Sequence, residues 1–369
     1  MQNETTHIDR RSFLGAAGIV AGAAAVGAVA GGTGSAYAQA GAAEQETPVS
    51  ETSGPAITRK IGRTGRSVTA LGLGTFLTFD LMPGDPRERL REVVTRYAAA
   101  GGGVIDTSPL YGSAEVTIGA FLSEIAETRD IFVANKIWST GAYLGDTSHA
   151  AASLEQSKLR VWRPTIDLMQ CHSMTNAGVV IPLLRAWKNE GHIGHVGVTH
   201  HESSYQAELT RFVERGEVDV VQTNYSIFDR AAEERLLPAA ADQGVGVFVN
   251  LPLEKARLMH VVEGHPLPDL ASEFEATSWA QFFLKWVIAH PAVTCVLCGT
   301  SDPDHMADNL QAMRGALPDA PMRRRMVRHM EMIPGFETIG TMAWYPGKDS
   351  LYQGQIRRAQ SLARARLAG

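Results

Sequence analysis

The sequence predicts a (β/α)8 barrel, a TIM barrel, with an N-terminal β-hairpin and a C-terminal extension. Three observations carry this. From Ile57 onward, short β-branched runs alternate with amphipathic stretches of helical period, giving eight strand–helix units. Val220-Val221 and Val245–Val249 are almost continuously apolar, as parallel strands covered on both faces are. Helical stretches end near Gly101, Gly191 and Gly244, each just before the next strand. The rival is a doubly wound open sheet, but no G-x-G-x-x-G follows the first strand; Gly72-Leu73-Gly74 alone is a weak signal.

The elements follow in order. Ile57–Ile61 and Ser67–Ala70 flank Gly62-Arg63-Thr64-Gly65 and read as the hairpin. The eight strands are expected at Leu71–Thr78, Val104–Thr107, Ile131–Ile137, Thr165–Cys171, His195–Thr199, Val218–Thr223, Gly246–Asn250 and Val293–Leu297. The helices are expected at Pro86–Ala100, Ala114–Ile125, Ala150–Val161, Val179–Asn189, Ser204–Glu214, Ala231–Gln243, Trp279–His290 and Pro303–Arg314. The seventh strand leads into a long loop. The barrel domain is placed at 56–320 and the extension at 321–369.

Composition excludes several classes. The chain has 369 residues, 44% hydrophobic and 20% charged, which suits a large core and argues against disorder. The formal charge of −5 argues against a general nucleic-acid binder. Three cysteines make no disulfide framework.

Residues 1–38 read as an address rather than as fold. Arg10-Arg11-Ser12-Phe13-Leu14 precedes an Ala- and Gly-rich apolar run from Phe13 to Ala30, then Ala36-Tyr37-Ala38, a small-x-small cleavage signal. Ala and Gly contribute little transfer energy, so no stable membrane anchor is expected. The segment resembles a twin-arginine (Tat) signal peptide. That resemblance implies recognition by the Tat export machinery, export of an already folded protein, and a periplasmic or extracellular location. Residues 39–55 read as a flexible linker.

Catalytic groups of such barrels sit at the C-terminal ends of the strands. Those positions hold Asp106, Lys136 and His172, with Tyr111 in the loop after the second strand. Taken singly, Asp106 could cap a helix, Tyr111 could pack in a loop and His172 could be structural. A lysine ending an apolar strand is harder to dismiss, because burying it unpaired is costly.

Over roughly Ile57 to Leu317 the chain resembles the aldo/keto reductase superfamily. The stretches that carry this are Gly72-Leu73-Gly74-Thr75, Ile105-Asp106-Thr107-Ser108, Leu110-Tyr111-Gly112, Asn135-Lys136, Gln170-Cys171-His172 and Asn224-Tyr225-Ser226. The resemblance implies a catalytic tetrad of Asp106, Tyr111, Lys136 and His172, a small carbonyl substrate, and NADP as cofactor, with NAD open. The chemistry is coherent in itself. Carbonyl reduction needs a proton donor for the developing alkoxide. A phenol of ordinary pKa ~10 is expected to be acidified by the neighbouring ammonium. Asp106 would hold Lys136, and His172 would orient the carbonyl oxygen.

The same resemblance implies a cofactor cradle. Gly74 and Thr75 fall on it. Thr199, His200 and Gln222 would meet the carboxamide, Tyr225 would stack on the nicotinamide ring, and Leu251 and Leu253 would lie by the pyrophosphate. His200 stands where the family usually has Asn. Gly299 and His305 match positions where some relatives grip a 2′-phosphate with Lys and Arg. Thr300, Ser301 and Asn309 fall on the adenine side, and the N-terminus of the last barrel helix is a natural anion site.

Other features read as structural. Cys295 and Cys298 should face opposite sides of a strand, and the adjacent His200 and His201 should diverge, so no metal site is expected. The tail from Arg323 to Gly369 has nine basic and three acidic residues, hence +6. It reads as a solvated helix at Gln353–Leu367, or as a flap placing Phe336, Trp344 and Tyr345 over the barrel mouth. The expected function is an exported NAD(P)-dependent carbonyl reductase. The alternative is a nucleotide-binding sensor or accessory subunit, because Leu73–Phe79 looks somewhat like the potassium-channel β-subunit branch of the superfamily.

Overall fold

The computed structural model describes residues 54–138 and 146–347. The hairpin pairs β1 (Thr58–Ile61) with β2 (Arg66–Thr69) in antiparallel register, Ile61 opposite Arg66. Then follow β3 (Leu71–Gly74), α1 (Glu88–Ala99), β4 (Val104–Asp106), α2 (Ala114–Glu124), β5 (Phe132–Ile137) and α3 (Ser148–Arg160). The chain continues with β6 (Ile166–Cys171), α4 (Ala177–Asn189), β7 (Ile193–Thr199), α5 (Gln206–Glu214), β8 (Val220–Asn224) and α6 (Leu236–Gln243). It ends with β9 (Gly246–Asn250), α7 (Arg257–Val261), α8 (Trp279–Ile288), β10 (Val293–Cys298), α9 (Pro303–Gln311) and α10 (Ala320–Glu331).

Strands β3 to β10 close into a parallel barrel, with β10 pairing β3. Alternation sorts the side chains into two layers. Ile61, Val68, Val104, Phe132, Phe248 and Cys295 belong to one small buried cluster inside the cylinder, so the hairpin plugs its N-terminal end. The larger cluster lies between strands and helices and includes Cys171 and Cys298. Cys295 and Cys298 therefore face opposite sides, as alternation requires.

The predicted architecture is the observed one, with local differences. The strand expected to run to Thr78 stops at Gly74: the Thr75 N–H and hydroxyl still donate to the Asp106 carbonyl, at 3.1 and 3.0 Å, but the chain then turns, with Leu77 left-handed at φ +65°. The long loop after β9 contains α7 and a 3-10 turn, Asp269–Phe274, both too short to show a helical period. The boundary at 320/321 falls at the first residue of α10. Its Arg323 donates to the Trp286 carbonyl at 3.1 Å and to Glu233 at 2.8 Å, which ties the extension to the barrel. The signal segment and the helix expected at Gln353–Leu367 lie outside the described residues.

Candidate active site

The barrel register delivers the tetrad. On β4, Asp106 is paired with Ala134 of β5, and Lys136 follows two residues later on the same face of β5. Lys136 Nζ donates to both Asp106 carboxylate oxygens, at 2.8 and 2.7 Å, and to the Thr107 carbonyl at 2.8 Å. Both side chains are almost wholly out of water, at 1% and 5% exposure. Burial pushes the carboxyl pKa up and the amine pKa down, and the pairing opposes both shifts.

The Lys136 amine lies 4.9 Å from the Tyr111 ring centroid, and His172 meets the same ring edge-on at 5.8 Å. All four sequence-predicted residues thus share one place. The phenol itself departs from expectation. Burial, and then the Asp106 charge, raise the Tyr111 pKa well above its ordinary value instead of lowering it. Burial is the main cause, and the Lys136 ammonium, already paired with Asp106, does not offset it. His172 is held neutral: burial is the main cause, with Lys136 and the neighbouring histidines adding to it.

Two positioning residues were not legible as such. Ser108 Oγ accepts from the Leu110 N–H at 3.2 Å and lies 3.0 Å from His172 Nδ1. In the tautomer where Nδ1 accepts the Ser108 proton, the ring proton sits on Nε2 and His172 is a donor there. Asp80 Oδ1 accepts from the Ser113 N–H at 2.8 Å and the Ser113 hydroxyl at 3.0 Å. It thereby clamps the turn that follows Tyr111. Gly112 has φ +65°, and a Cβ there would come within 2.1 Å of the Asp80 carboxylate, so the clamp needs glycine. Ser108 lay inside a recognised stretch but carried no visible role. Asp80, thirty residues upstream, gave no signal at all.

The cradle residues divide into those at the mouth and those that are not. Thr199, the last residue of β7, is the register partner of Gln222 in the middle of β8, and His200 follows Thr199 directly. His200 Nδ1 accepts the Glu202 N–H at 3.1 Å, so its neutral form presents Nε2–H as a donor. Contrary to expectation, His200 and His201 do not diverge. Their rings are parallel with centroids 5.2 Å apart, and His200 also stacks on Tyr205 at 3.6 Å. Among the described residues, no cluster of His, Cys, Asp or Glu is arranged to hold a metal.

Tyr225 is a correction. Its side chain turns outward into the helix layer, fully buried, with ring contacts to Trp286 at 5.2 Å and His290 at 5.7 Å. Its hydroxyl donates to Glu233 and accepts from Arg323. A ring sealed on these sides is not free to stack on a nicotinamide.

A carboxamide has a donor end and an acceptor end. Gln222 Oε1 and Asn250 Oδ1 are buried acceptors with no hydrogen-bond partner in the structure, and His200 supplies a donor. These groups fit a nicotinamide amide, and Asn250 was not singled out from the sequence. Gly74 and Gly299 answer to strand packing: a Cβ on Gly299 would sit 2.9 Å from the Gly74 carbonyl. Leu251 adopts φ +56°, and Leu253 packs on the outer core.

The expected anion site at the start of α9 is already capped. Asp302 accepts from the Asp304 and His305 N–H groups at 2.9 and 3.3 Å, its own N–H donates to Thr300 Oγ1 at 3.0 Å, and Arg89 pairs with its carboxylate. Arg89 also donates to the Ser301 carbonyl at 3.0 Å. Partial burial opposes the charge, but the backbone donors win and hold the Asp302 carboxyl below the usual range. His305 is exposed, and Asn309 is buried with its amide donating to Cys298 Sγ at 3.2 Å.

The closed parallel barrel gathers a buried Asp–Lys pair, a phenol and an imidazole at its C-terminal mouth, where enzymes of this barrel class carry their sites. The chain belongs to the aldo/keto reductase family, whose model matches residues 70–325; members are NAD(P)H-dependent oxidoreductases of carbonyl and alcohol groups. It is 24% identical over 332 residues to an NADH-specific methylglyoxal reductase of Escherichia coli (strain K12), covering 73% of this chain and 98% of that one. It is 25% identical over 331 residues to an uncharacterized oxidoreductase of Bacillus subtilis (strain 168), covering 77% and 98%. An aldo-keto reductase from Bacillus halodurans in its holo form matches with a TM-score of 0.60 at 22% identity, covering 74% and 96%. One from Klebsiella pneumoniae, in complex with NADP and acetate, matches with a TM-score of 0.59 at 22% identity, covering 73% and 94%. At that identity the two structures speak for the fold.

Asp106→Asn leaves a buried ammonium without its counterion. We expect a loss of roughly 3–5 kcal/mol at pH 7 by urea denaturation. The folded-state Lys136 pKa then falls further below its unfolded value of ~10.4. The unfolded chain binds more protons in that window, so the variant's stability rises with pH up to about that value, more steeply than the wild type's.

Proposed function

We propose that this protein is an exported aldo/keto reductase that reduces a carbonyl compound with NAD(P)H, Tyr111 donating the proton. One observation carries the reading: Lys136 Nζ is fixed by Asp106 and Thr107 while lying 4.9 Å from the Tyr111 ring centroid, with His172 on the same ring. The bound nicotinamide supplies the hydride. Thr199, His200, Gln222 and Asn250 would hold its amide, and Thr300 and Ser301 would line the adenine side. His172 Nε2–H polarises the carbonyl oxygen, and the phenol proton passes to that oxygen as the alkoxide forms. The phenolate left behind, beside an ammonium already shared with Asp106 and Thr107, then takes a proton back from solvent.

The raised Tyr111 pKa fits reduction better than oxidation, because the donor stays protonated well past neutral pH. The reduction rate should stay flat from pH 6 to 9, while alcohol oxidation, which needs the phenolate, should climb across the same range. Tyr111→Phe should cost at least about a hundredfold in turnover. Nucleotide affinity, read by fluorescence titration, should be unchanged. Undiminished turnover in this variant would rule the mechanism out.

On the nucleotide, relatives bearing both preferences exist: the Escherichia coli protein is named NADH-specific and the Klebsiella one holds NADP. In this chain Asp302 caps the helix that a 2′-phosphate would approach. Asp302→Asn keeps a cap and removes the charge. It should tighten NADPH relative to NADH by about fivefold, equivalent to ~1 kcal/mol of relieved repulsion.

Export rests on Arg10-Arg11 and the apolar run behind it. Among the described residues no helix is long and apolar enough to cross a membrane. Replacing both arginines by lysine should strand the protein in the cytoplasm with its leader attached, as fractionation and mass spectrometry would read.

A further inference from the structure

The mechanism leaves one lysine at the mouth unused. Lys255 lies in the turn after β9, where Glu254, Lys255 and Ala256 all have left-handed backbone, with φ of 52, 53 and 64°. Non-glycine residues held this way cost roughly 1–3 kcal/mol each, and they persist only where the surroundings enforce them. Here the buried Glu254–Arg257 pair at 2.6 Å enforces them. Ser226 Oγ donates to Glu254 at 2.7 Å, Arg257 donates to the Ile339 carbonyl at 2.9 Å, and the Tyr345 N–H donates to the Lys255 carbonyl at 2.9 Å.

This scaffold places the amine in an aromatic box. Lys255 Nζ is 4.3 Å from the Phe76 ring centroid, 4.9 Å from Trp344 and 5.8 Å from Tyr345. Phe76 is also a wall of the catalytic centre, with its ring 4.9 Å from that of Tyr111. Trp344 meets His201 edge-on at 6.0 Å. The box and the tetrad therefore share a wall within the length of one small molecule.

What the box lacks is an acceptor. The two fully buried lysines among the described residues have full sets of oxygens: Lys136 has Asp106 and Thr107, and Lys285 donates to the carbonyls of Phe274, Arg314 and Ala316. Among the described residues no carboxylate pairs with Lys255. Its charged neighbours, Arg257 and the adjacent His201, are cationic or become so. Burial and Arg257 push its pKa down to about 8, which still leaves it largely charged at neutral pH. Ring faces attract a cation but do not neutralise it. A half-buried cation without a counterion is complementary to an anion that arrives from outside.

We propose that Lys255 is the specificity residue of this mouth and that the carbonyl substrate carries a carboxylate, which the amine receives while Phe76 and Trp344 flank the carbon chain. The proposal rests on the reductase reading and names its substrate class.

The test compares 4-carboxybenzaldehyde with 4-formylbenzamide, its neutral isostere, in the full mature protein, alongside titrations of NADH and NADPH. The acid should be preferred in kcat/KM by roughly ten- to hundredfold, as a charge-assisted hydrogen bond allows. The acid-to-amide ratio should collapse toward one in Lys255→Met and be largely kept in Lys255→Arg. No preference in the wild type overturns the proposal. So does a Lys255→Met variant that weakens both nucleotides alike and leaves the ratio unchanged, since the amine would then serve the dinucleotide pyrophosphate. If neither aldehyde is reduced, the reductase reading has failed. The anion site is then judged by calorimetry with benzoate against benzamide. Tighter benzoate binding that is lost in Lys255→Met supports the site, and equal binding rejects it.

Discussion

Two opposite charges held out of water at the end of a closed barrel are the constraint around which the site is built. Removing Asp106 and Lys136 from water costs several kcal/mol per ion, and their mutual attraction repays it only with good geometry. That geometry comes from the sheet. Adjacent parallel strands in fixed register bring the amine within 2.8 Å of both carboxylate oxygens, and the Thr107 carbonyl takes its third proton. A one-residue slip of β5 would turn Lys136 into the helix layer. Barrel closure and site assembly are thus one event.

The pair also sets the protonation of its neighbours. Loss of water, and then the Asp106 charge, keep the proton on the half-buried phenol, and burial keeps the imidazole uncharged. The mouth therefore holds an un-ionised phenol and a neutral imidazole side by side. Unpartnered acceptors on Gln222 and Asn250 lie across β8 and β9. The extension adds a different element, since it fastens the strained turn after β9 and brings Trp344 and Tyr345 to Lys255. The flap expected around Phe336, Trp344 and Tyr345 thus divides. Phe336 is buried against Phe228, while the other two join the mouth.

Much of this was legible in the sequence, for identifiable reasons. Eight alternating units fix the barrel because hydrophobic period is a local property. Asp106, Lys136 and His172 stand at strand ends, so placing the strands places them. Tyr225 was misread because one step beyond β8 the alternation that sorts inward from outward no longer holds, and packing against Trp286 decides. The helix dipole at α9 was visible, but not that Asp302 would fill it. Asp80, Ser108 and Lys255 act through contacts made across the fold or by unusual backbone, and no spacing rule reports these. The acidification expected of Tyr111 weighed the amine and its Asp106 partner but not the loss of water around the ring, which dominates. A motif lists neighbours but does not state how much water reaches them.

The protonation state of one phenol tests this account most directly. With 13Cζ-tyrosine incorporated and Tyr111 assigned by its Phe variant, the ring-carbon chemical shift can be followed by NMR against pH. The account predicts that the Tyr111 signal keeps its phenol position beyond the ordinary tyrosine value of ~10, for as long as the protein stays folded. Ionisation below that value would mean that Lys136 acts on the ring as an uncompensated cation, contradicting the paired charges on which the site is built.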